Sequence, residues 1–209
     1  MRYSDSLRQM EYRTIAGLVR KESSVLDLGC GTGDLLSLLA VEKNVRGQGI
    51  EIDERSIYAC VARGLSVFHG DIDSGLSEYA DKSFDYVVLC ESLQEVRHPD
   101  IVLKEALRVG RKVIVSFPNF AHYRARVQLF FRGRTPVTPA LPFPWYDTPN
   151  LHFLSIGDFI AYCSLRNIRI ARSTFLCERG TIRLFPSLRA LVGIFVLSRP
   201  ETPPHPSRT

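Results

Sequence analysis

Short apolar runs alternate with amphipathic helical patterns along the first 118 residues, and this alternation constrains the fold more than any other feature of the chain. The runs, such as SVLDL at 24–28 and RKVIVSF at 111–117, have the length and composition of buried strands. Neighbouring parallel strands need a crossover connection, which is usually a helix. The alternation therefore predicts an α/β fold, built on a doubly wound, mostly parallel sheet with helices on both faces.

The individual elements follow from this pattern. Strands are predicted at 24–28, 45–52, 65–71, 83–90, 111–117, 168–176 and 189–199. Helices are predicted near the start, with Leu7, Met10, Ile15, Leu18 and Val19 on one face, and at 33–41, 53–64, 99–109, 119–134 and 155–167. No helix is predicted between the last two strands, so we expect them to form an antiparallel pair.

The chain of 209 residues, with 45% hydrophobic residues, suits a single domain at 1–199. The alternation breaks after Pro118, where a basic amphipathic helix precedes the stretch TPVTPALPFPWYDTPN. Its prolines at 136, 139, 142, 144 and 149 exclude regular structure, and we interpret residues 118–151 as an insertion that forms a lid. The proline-rich tail at 200–209 has no core residue, and we expect it to be disordered.

Composition narrows the function only slightly. The net charge of +5 admits a nucleic-acid or acidic protein partner without requiring one. The five cysteines include no C-x-x-C pair, which indicates buried thiols in a reducing compartment rather than disulfides or metal ligands. The start lacks the apolar segment of a signal peptide, and no run of 18 apolar residues could span a membrane. A cytoplasmic protein is therefore expected.

A glycine-rich loop follows the first predicted strand, in the stretch VLDLGCGTGDLL. Its glycines are Gly29, Gly31 and Gly33, whereas a dinucleotide-binding fingerprint would need a glycine at the position of Asp34. A dinucleotide also places a pyrophosphate at the start of the following helix, where Asp27 and Asp34 would repel it. S-adenosylmethionine has an ammonium, a sulfonium and no phosphate, and it suits these carboxylates better.

Side chains at the ends of the next strands support the same cofactor. Glu51 ends the second predicted strand, where a carboxylate can accept both ribose hydroxyls, and Asp71 follows the third, where it can accept the adenine amine. The backbone around Cys90 and Glu91, after the fourth strand, should flank the methionine part of the ligand. Taken alone, Asp27 could be a turn residue, Asp71 a helix cap and Glu51 a solvated strand end. The predicted cofactor-binding residues are Asp27, Gly29, Cys30, Gly31, Gly33, Glu51, Ile52, Asp71, Ile72 and Cys90.

The motifs VLDLGCGTGDLL, GIEID, GDID and FDYVVL resemble those of class I S-adenosylmethionine-dependent methyltransferases. The long segment from LQEVRHPDIVLKEALRVG to TPALPFPWYDTPNLHF closely resembles the MetW family of methionine biosynthesis proteins, and the resemblance covers about residues 3–199. It implies a Rossmann-like seven-stranded sheet with a final antiparallel strand and S-adenosylmethionine or S-adenosylhomocysteine as cofactor. It also implies a cytoplasmic role in methionine synthesis, beside the homoserine O-acyltransferase MetX. No methyl acceptor is established for the family.

The sequence leaves catalysis open. The Asn/Asp-Pro-Pro-aromatic signature of amino methylation is replaced by CESL after the fourth strand, and no Cys or His cluster indicates a metal. His152 and Tyr146 are the preferred candidate bases, because the proline-rich segment should fold back over the cofactor. The other candidate bases are His98, His122 and Tyr123. The sequence is compatible with two functions. The chain could be a cofactor-binding partner of the acyltransferase, which we favour, or an active methyltransferase that acts on an unidentified small molecule.

The basic helix after the fifth strand also has more than one interpretation. Arg124, Arg126, Arg132 and Arg134 lie in a segment without an acidic residue until Asp147. The neighbouring apolar residues are Val127, Leu129, Phe130 and Phe131. Packing against the sheet and a protein interface are both compatible with this composition. Binding to nucleic acid or to a membrane surface is less favoured, because the net charge is modest.

Overall fold

The computed structural model describes residues 5–138 and 140–199. The disorder predicted for the tail at 200–209 and the first four residues of the predicted domain lie outside the described residues. The strands are β1 Ser24–Leu28, β2 Arg46–Glu51, β3 Ser66–His69, β4 Phe84–Cys90, β5 Gly110–Pro118, β6 Arg169–Cys177, β7 Gly180–Thr181 and β8 Val192–Ser198. The helices are α1 Asp5–Leu18, α2 Asp34–Lys43, α3 Glu54–Ala62, α4 Pro99–Val109, α5 Tyr123–Arg132, α6 Ile156–Leu165 and α7 Pro186–Arg189, with a 3-10 turn at Ile72–Ser74.

The strands form one sheet in the order β3-β2-β1-β4-β5-β8-β6-β7. Strands β1 to β5 pair in parallel, and β8 lies antiparallel between β5 and β6. This architecture confirms the predicted α/β fold and the antiparallel pairing of the last two long strands. Because β1 lies between β2 and β4, the chain reverses its direction of winding at β1, which is where ligands bind to open α/β sheets.

The end of the chain differs from the prediction in two details. The sheet has an eighth strand, β7, because a turn after Cys177 brings Gly180 and Thr181 back against β6. The helix α7, which begins at Pro186, lies between β6 and β8, where no helix was predicted. Both elements are four residues or shorter, so the periodicity of the sequence does not reveal them.

Both faces of the sheet are covered, which explains the largely apolar strands. In β5, Val113 and Val115 pack with α4 and α6 on one face, whereas Ile114 packs with α1 and α2 on the other. Alternate residues of a strand point to opposite faces, so a run such as VIV fills both halves of the core. The described helices include none that is long and apolar enough to cross a membrane.

The segment after Pro118 is anchored at its start. Asn119 is fully buried, and its side-chain amide donates to the carbonyls of Ala190 at 2.9 Å and Ser187 at 3.0 Å. These bonds hold Asn119 outside the helix, so α5 begins at Tyr123, four residues later than the predicted start.

The proline-rich part of the segment packs onto the fold without regular structure. Thr138 and Leu141 exchange backbone hydrogen bonds of 2.9 and 3.0 Å. Ala140, 1% exposed, joins the apolar cluster that contains α1 and α2. The segment therefore lies against the same side of the sheet as α1. Its function as a lid remains a prediction.

Candidate functional site

A cleft of about 460 Å³ opens at the carboxyl ends of β1, β2 and β4. The position agrees with the rule that ligands bind where the strand order reverses. Its lining residues are Gly29, Gly31, Ile50, Glu51, Ile52, Ser56, Gly70, Asp71, Ile72, Asp73, Glu91, Ser92, Glu95, Val96 and Arg97. Six of the ten predicted cofactor-binding residues line this cleft: Gly29, Gly31, Glu51, Ile52, Asp71 and Ile72. The other four, Asp27, Cys30, Gly33 and Cys90, do not.

The three glycines of the loop have different roles. A Cβ at Gly31 would meet nothing within 4 Å, so this position offers open space for a ligand against the backbone. A Cβ at Gly29 would lie 2.8 Å from that of Ser92, and one at Gly33 would lie 2.8 Å from the sulfur of Cys60. All three have positive φ, between 53° and 76°, which favours glycine. Gly31 is therefore the glycine with room for a ligand against its backbone, whereas Gly33 is closely packed at the start of α2.

Cys30 is a packing residue in this structure. Its sulfur would lie 2.5 Å from a Cβ at Gly49, and burial raises the pKa of its thiol. The carbonyl of Gly31 accepts a hydrogen bond from the Cys60 thiol at 3.2 Å. The two cysteines therefore fix the back of the glycine loop, and only its backbone faces the cleft.

Glu51 ties the glycine loop to the end of β2. Its Oε2 accepts from the amide of Gly31 at 2.7 Å, and its Oε1 accepts from the amides of Ile52 at 2.8 Å and Asp53 at 2.9 Å. A carboxylate has about four acceptor positions, so these bonds leave room for about one more donor. A bidentate pair with ribose hydroxyls would therefore replace at least one backbone bond.

Asp71 both caps a turn and lines the cleft. Its Oδ1 accepts from the amide of Asp73 at 2.9 Å, at the start of the 3-10 turn. Asp73 in turn accepts from the amides of Arg97 at 2.8 Å and His98 at 2.9 Å. Burial alone would raise the pKa of Asp73, but these bonds outweigh it and the pKa is lowered. The turn after β3 and the segment before α4 are thus held together as one wall.

Asp27 lies behind the cleft, in the core of β1. It is 2% exposed, and its Oδ1 has no hydrogen-bond partner among the described residues. Burial, assisted by the charge of Glu51, raises the pKa of Asp27 to about 7. A nearby cation would favour the ionised form of this carboxyl.

Asp34 does not take the part in cofactor selection that the sequence argument gave it. Its carboxylate pairs with Arg63 at 2.6 Å and with Arg8 at 3.6 Å, and it does not line the cleft. Both partners are distant in sequence, so the pairing could not be read from the loop. The charge of Asp34 is compensated by Arg63 and Arg8, so the acids that would repel a pyrophosphate in the cleft are others.

Those acids follow β4, where sequence reasoning considered only the backbone. Glu91 and Glu95 line the cleft beside Glu51, Asp71 and Asp73. Burial, with the charges of Glu91 and Glu51, raises the pKa of Glu95 to about 7. The position of these glutamates directly after a predicted strand could have identified them. Among the charged residues of the lining, five are acidic and one, Arg97, is basic, which suits a ligand with positive charge.

Cys90 faces away from the cleft. Its sulfur lies 3.8 Å from Oε1 of Glu11 in α1, and burial raises the pKa of the thiol well above its usual value. Glu91, the next residue, turns the chain with a φ of 56° and brings the following residues into the cleft wall. The prediction that the backbone here flanks a ligand thus applies to Glu91 and Ser92 in this geometry.

None of the five candidate bases belongs to the lining of the cleft. His152 bonds the carbonyl of Val96 through Nε2 at 3.0 Å, and Tyr146 is 74% exposed beside Trp145. His98 lies 3.6 Å from Asp73, and Nδ1 of His122 caps α5. Tyr123 lies against the ring of His122. No catalytic constellation is assembled from these side chains in the described structure.

Residues 5–138 and 140–199 contain no group of three or more His, Cys, Asp or Glu side chains that could hold a metal ion.

Comparison with known proteins places this geometry in a family. The family described as "Methionine biosynthesis protein MetW" matches residues 9–197. The bifunctional methionine biosynthesis protein MetXA/MetW of Rhodopirellula baltica is 35% identical over 181 residues, which are 82% of this chain and 29% of that protein. The demethylmenaquinone methyltransferase of Staphylococcus aureus is 29% identical over 132 residues, which are 57% of this chain and 54% of that protein. The chain thus spans only part of the length of either relative.

Solved structures share the fold. A SAM-dependent methyltransferase from Archaeoglobus fulgidus superposes with a TM-score of 0.71 at 15% identity, over 94% of this chain and 95% of that one. The [4+2]-cyclase SpnF superposes with a TM-score of 0.64 at 16% identity, over 92% of this chain and 81% of that one. These matches establish the class I methyltransferase fold, which hosts more than one reaction.

Proposed function

This chain belongs to the MetW family of methionine biosynthesis proteins, and from that premise we propose that it binds S-adenosylmethionine or S-adenosylhomocysteine and supports a homoserine O-acyltransferase. The observation that carries the second part is the relative from Rhodopirellula baltica, which is described as both MetXA and MetW in one chain. Two activities on one polypeptide are held at high effective concentration, which favours partners that act together.

The residues of the cleft fit the proposed cofactor. Gly31 leaves room for a ligand against the backbone, and Glu51 ends β2 at the position of a ribose acceptor. Asp71, with Ile72 beside it, lines the same wall and can accept from the adenine amine. The surrounding carboxylates favour the positively charged methionine end over a pyrophosphate. When bound, the cofactor would supply an activated methyl group, and the chain would bind and orient it.

The test of cofactor binding is calorimetry with S-adenosylmethionine. Glu51→Ala removes a charge-assisted contact of about 1.5–3 kcal/mol, so we expect affinity to fall about 10- to 100-fold. Glu54→Ala, on the exposed start of α3, is the matched control and should bind like the wild type. Wild-type affinity in a folded Glu51→Ala protein would contradict the assigned site.

A physical connection supports joint action of the cofactor and the partner. The carbonyl of Gln94 accepts from the amides of Leu151 at 2.9 Å and His152 at 3.1 Å. Gln94 belongs to the segment 91–97, most of which lines the cleft, while Leu151 and His152 end the segment that carries α5. We infer that a cofactor in the cleft and a partner bound to α5 both influence the segment 91–97.

The alternative function is methyl transfer to an unidentified small molecule. The shared fold favours it, whereas the absence of candidate bases from the described cleft lining does not. Conversion of S-adenosylmethionine to S-adenosylhomocysteine, on addition of a cell extract, would establish it. Copurification with the acyltransferase and a change in its rate would instead favour the supporting function.

A further inference from the structure

A second cavity, of about 280 Å³, lies between α4 and the turn that leads from α6 into β6. Asp100, Lys104 and Leu107 line it from α4, and their spacing of four and three residues places them on one face of that helix. The opposite wall consists of Tyr162 in α6 and the residues 166–168 that follow this helix. The cavity shares no lining residue with the cleft at the carboxyl ends of β1, β2 and β4.

The cavity reaches the opposite edge of the sheet. Arg199, which also lines it, follows the end of β8. Since β8 runs antiparallel to β5, its last residues lie near the start of β5, where Leu197 pairs with Val113. The cofactor cleft opens at the other ends of the parallel strands. A ligand in this cavity would therefore be a second molecule rather than a part of the cofactor.

The charges of the cavity favour an anion. Its charged side chains are three cations, Lys104, Arg166 and Arg199, and one acid, Asp100, which give a net charge of +2. The closest nitrogen and oxygen of Arg166 and Asp100 are 3.7 Å apart, too far for a hydrogen bond. Neither Lys104 nor Arg199 forms an ion pair within the described part of the chain. The cations thus retain donors for a ligand, and the planar fork of arginine matches the oxygens of a phosphate or carboxylate.

Side chains, rather than backbone amides, supply these donors. The amide of Asn167 already donates to the carbonyl of Ser164 at 3.2 Å, and the amide of Ile168 donates to the carbonyl of Cys163 at 2.8 Å. Recognition of an anion in this cavity therefore depends on the three cations.

The cavity also has an apolar wall and room for more than a bare anion. Leu107 and Ile168 line it beside the ring of Tyr162, and the guanidinium of Arg166 lies 5.8 Å from the centre of that ring. A water molecule takes about 30 Å³ of liquid, so the cavity has the volume of about nine water molecules. A ligand that fills it carries an apolar body beside its charged group.

We propose that this cavity binds a small phosphate monoester with an apolar or aromatic body. The phosphate has a charge of about −1.5 to −2 at neutral pH and three acceptor oxygens, which match the net charge and the three cations of the cavity. A single carboxylate has only half of that charge and two oxygens. The apolar body would pack against Leu107 and Ile168. This proposal does not depend on the function proposed for the cofactor cleft.

Phenyl phosphate is the probe, and phosphorus NMR line broadening measures its binding and that of inorganic phosphate. We expect the wild type to bind phenyl phosphate more tightly than inorganic phosphate. Lys104→Gln together with Arg199→Gln removes two exposed cations that break no ion pair of the described chain, so affinity for phenyl phosphate should fall about 10-fold.

Arg20→Gln together with Lys21→Gln is the matched control, because it removes the same two charges from another basic cavity, after the end of α1. This control should bind phenyl phosphate like the wild type. Equal losses in the two double variants would indicate general attraction to a basic surface and would overturn the proposal. Failure of the wild type to bind phenyl phosphate would overturn it too, as would equal affinity for inorganic phosphate or tighter binding of the dicarboxylate phenylsuccinate. Displacement of the probe by S-adenosylhomocysteine would place it in the cofactor cleft, and the assignment to this cavity would be wrong.

Discussion

At the scale of a single residue, Asp27 shows how a short motif acquires its chemistry from the fold. The sequence places it two residues before the glycine loop, but β1 buries it between two neighbouring strands. Burial, with the charge of Glu51, raises its pKa to about 7. The carboxyl therefore titrates near neutral pH, where an exposed aspartate would be fully ionised.

This shift predicts a pH-dependent stability. A carboxyl whose pKa is raised on folding contributes stability below its unfolded pKa, and the contribution is lost as the pH rises through the folded value. Between pH 5 and 8, the unfolding free energy of the wild type should therefore fall relative to Asp27→Asn, by up to about 1.4 kcal/mol per pH unit. Urea unfolding at each pH measures the difference. A constant difference would contradict the buried titration, and Glu54→Gln controls for the lost charge.

At the scale of an element, α5 buries little of its own surface against the rest of the protein. Ala125 is the buried residue of this helix, whereas Phe130 is 83% and Phe131 77% exposed. Arg124 pairs with Glu178 at 3.1 Å, and Arg126 donates to the carbonyl of Ala121 at 2.7 Å. Packing against the sheet, one of the interpretations open from the sequence, does not describe this helix. Two exposed aromatic side chains suit a protein interface better.

Changing Phe130 and Phe131 together to Asn should weaken binding to the acyltransferase about 30-fold, the effect of a hot spot of about 2 kcal/mol. Affinity for S-adenosylmethionine should stay unchanged, because neither residue lines the cleft. Titration of the acyltransferase measures the first quantity, and calorimetry the second. Leu165→Asn, at an exposed position of α6, is the control. Unchanged affinity for the partner would rule out this interface.

Reversing the charge of Arg124, Arg126, Arg132 and Arg134 to Glu should also weaken the complex. The contacts of Arg124 and Arg126 within the chain make this a less selective change than the two Phe substitutions. Loss of both partner and cofactor binding would indicate damage to the fold rather than to an interface.

At the scale of the whole molecule, the segment 91–97 connects the cleft to the segment that carries α5. Most residues of the segment 91–97 line the cleft, and the carbonyls of Gln94 and Val96 in the same segment accept hydrogen bonds from Leu151 and His152. A ligand that orders the wall therefore acts on the end of the proline-rich segment. Coupling between two sites is reciprocal, so the partner should alter cofactor affinity by the same factor.

We expect saturating S-adenosylmethionine to change affinity for the acyltransferase by a factor between about 5 and 150, and the acyltransferase to change cofactor affinity equally. His152→Ala removes the bond to Val96 and should reduce the factor, with little effect on binding of either ligand alone. Calorimetry with each ligand, in the presence and absence of the other, measures both factors. Independent binding of the two would contradict the coupling.

Much of the fold and part of the site were determined by the sequence itself. The alternation of strands and helices follows from local periodicity, and the carboxyl ends of parallel strands necessarily share one edge. The sequence alone therefore places Gly31, Glu51 and Asp71 at one edge of the sheet. Each of these assignments depends on a residue and its own strand, which is information that a short stretch of sequence contains.

Only the tertiary structure decided which charges act in the site. Asp34 is compensated by Arg63, 29 residues away, and Glu11 of α1 meets Cys90, 79 residues away. Such pairs depend on how helices dock against the sheet, because docking brings distant residues into contact and removes water around them. Burial and charge pairing then set the ionisation of each carboxyl, and neither can be read from the neighbours of a residue in sequence.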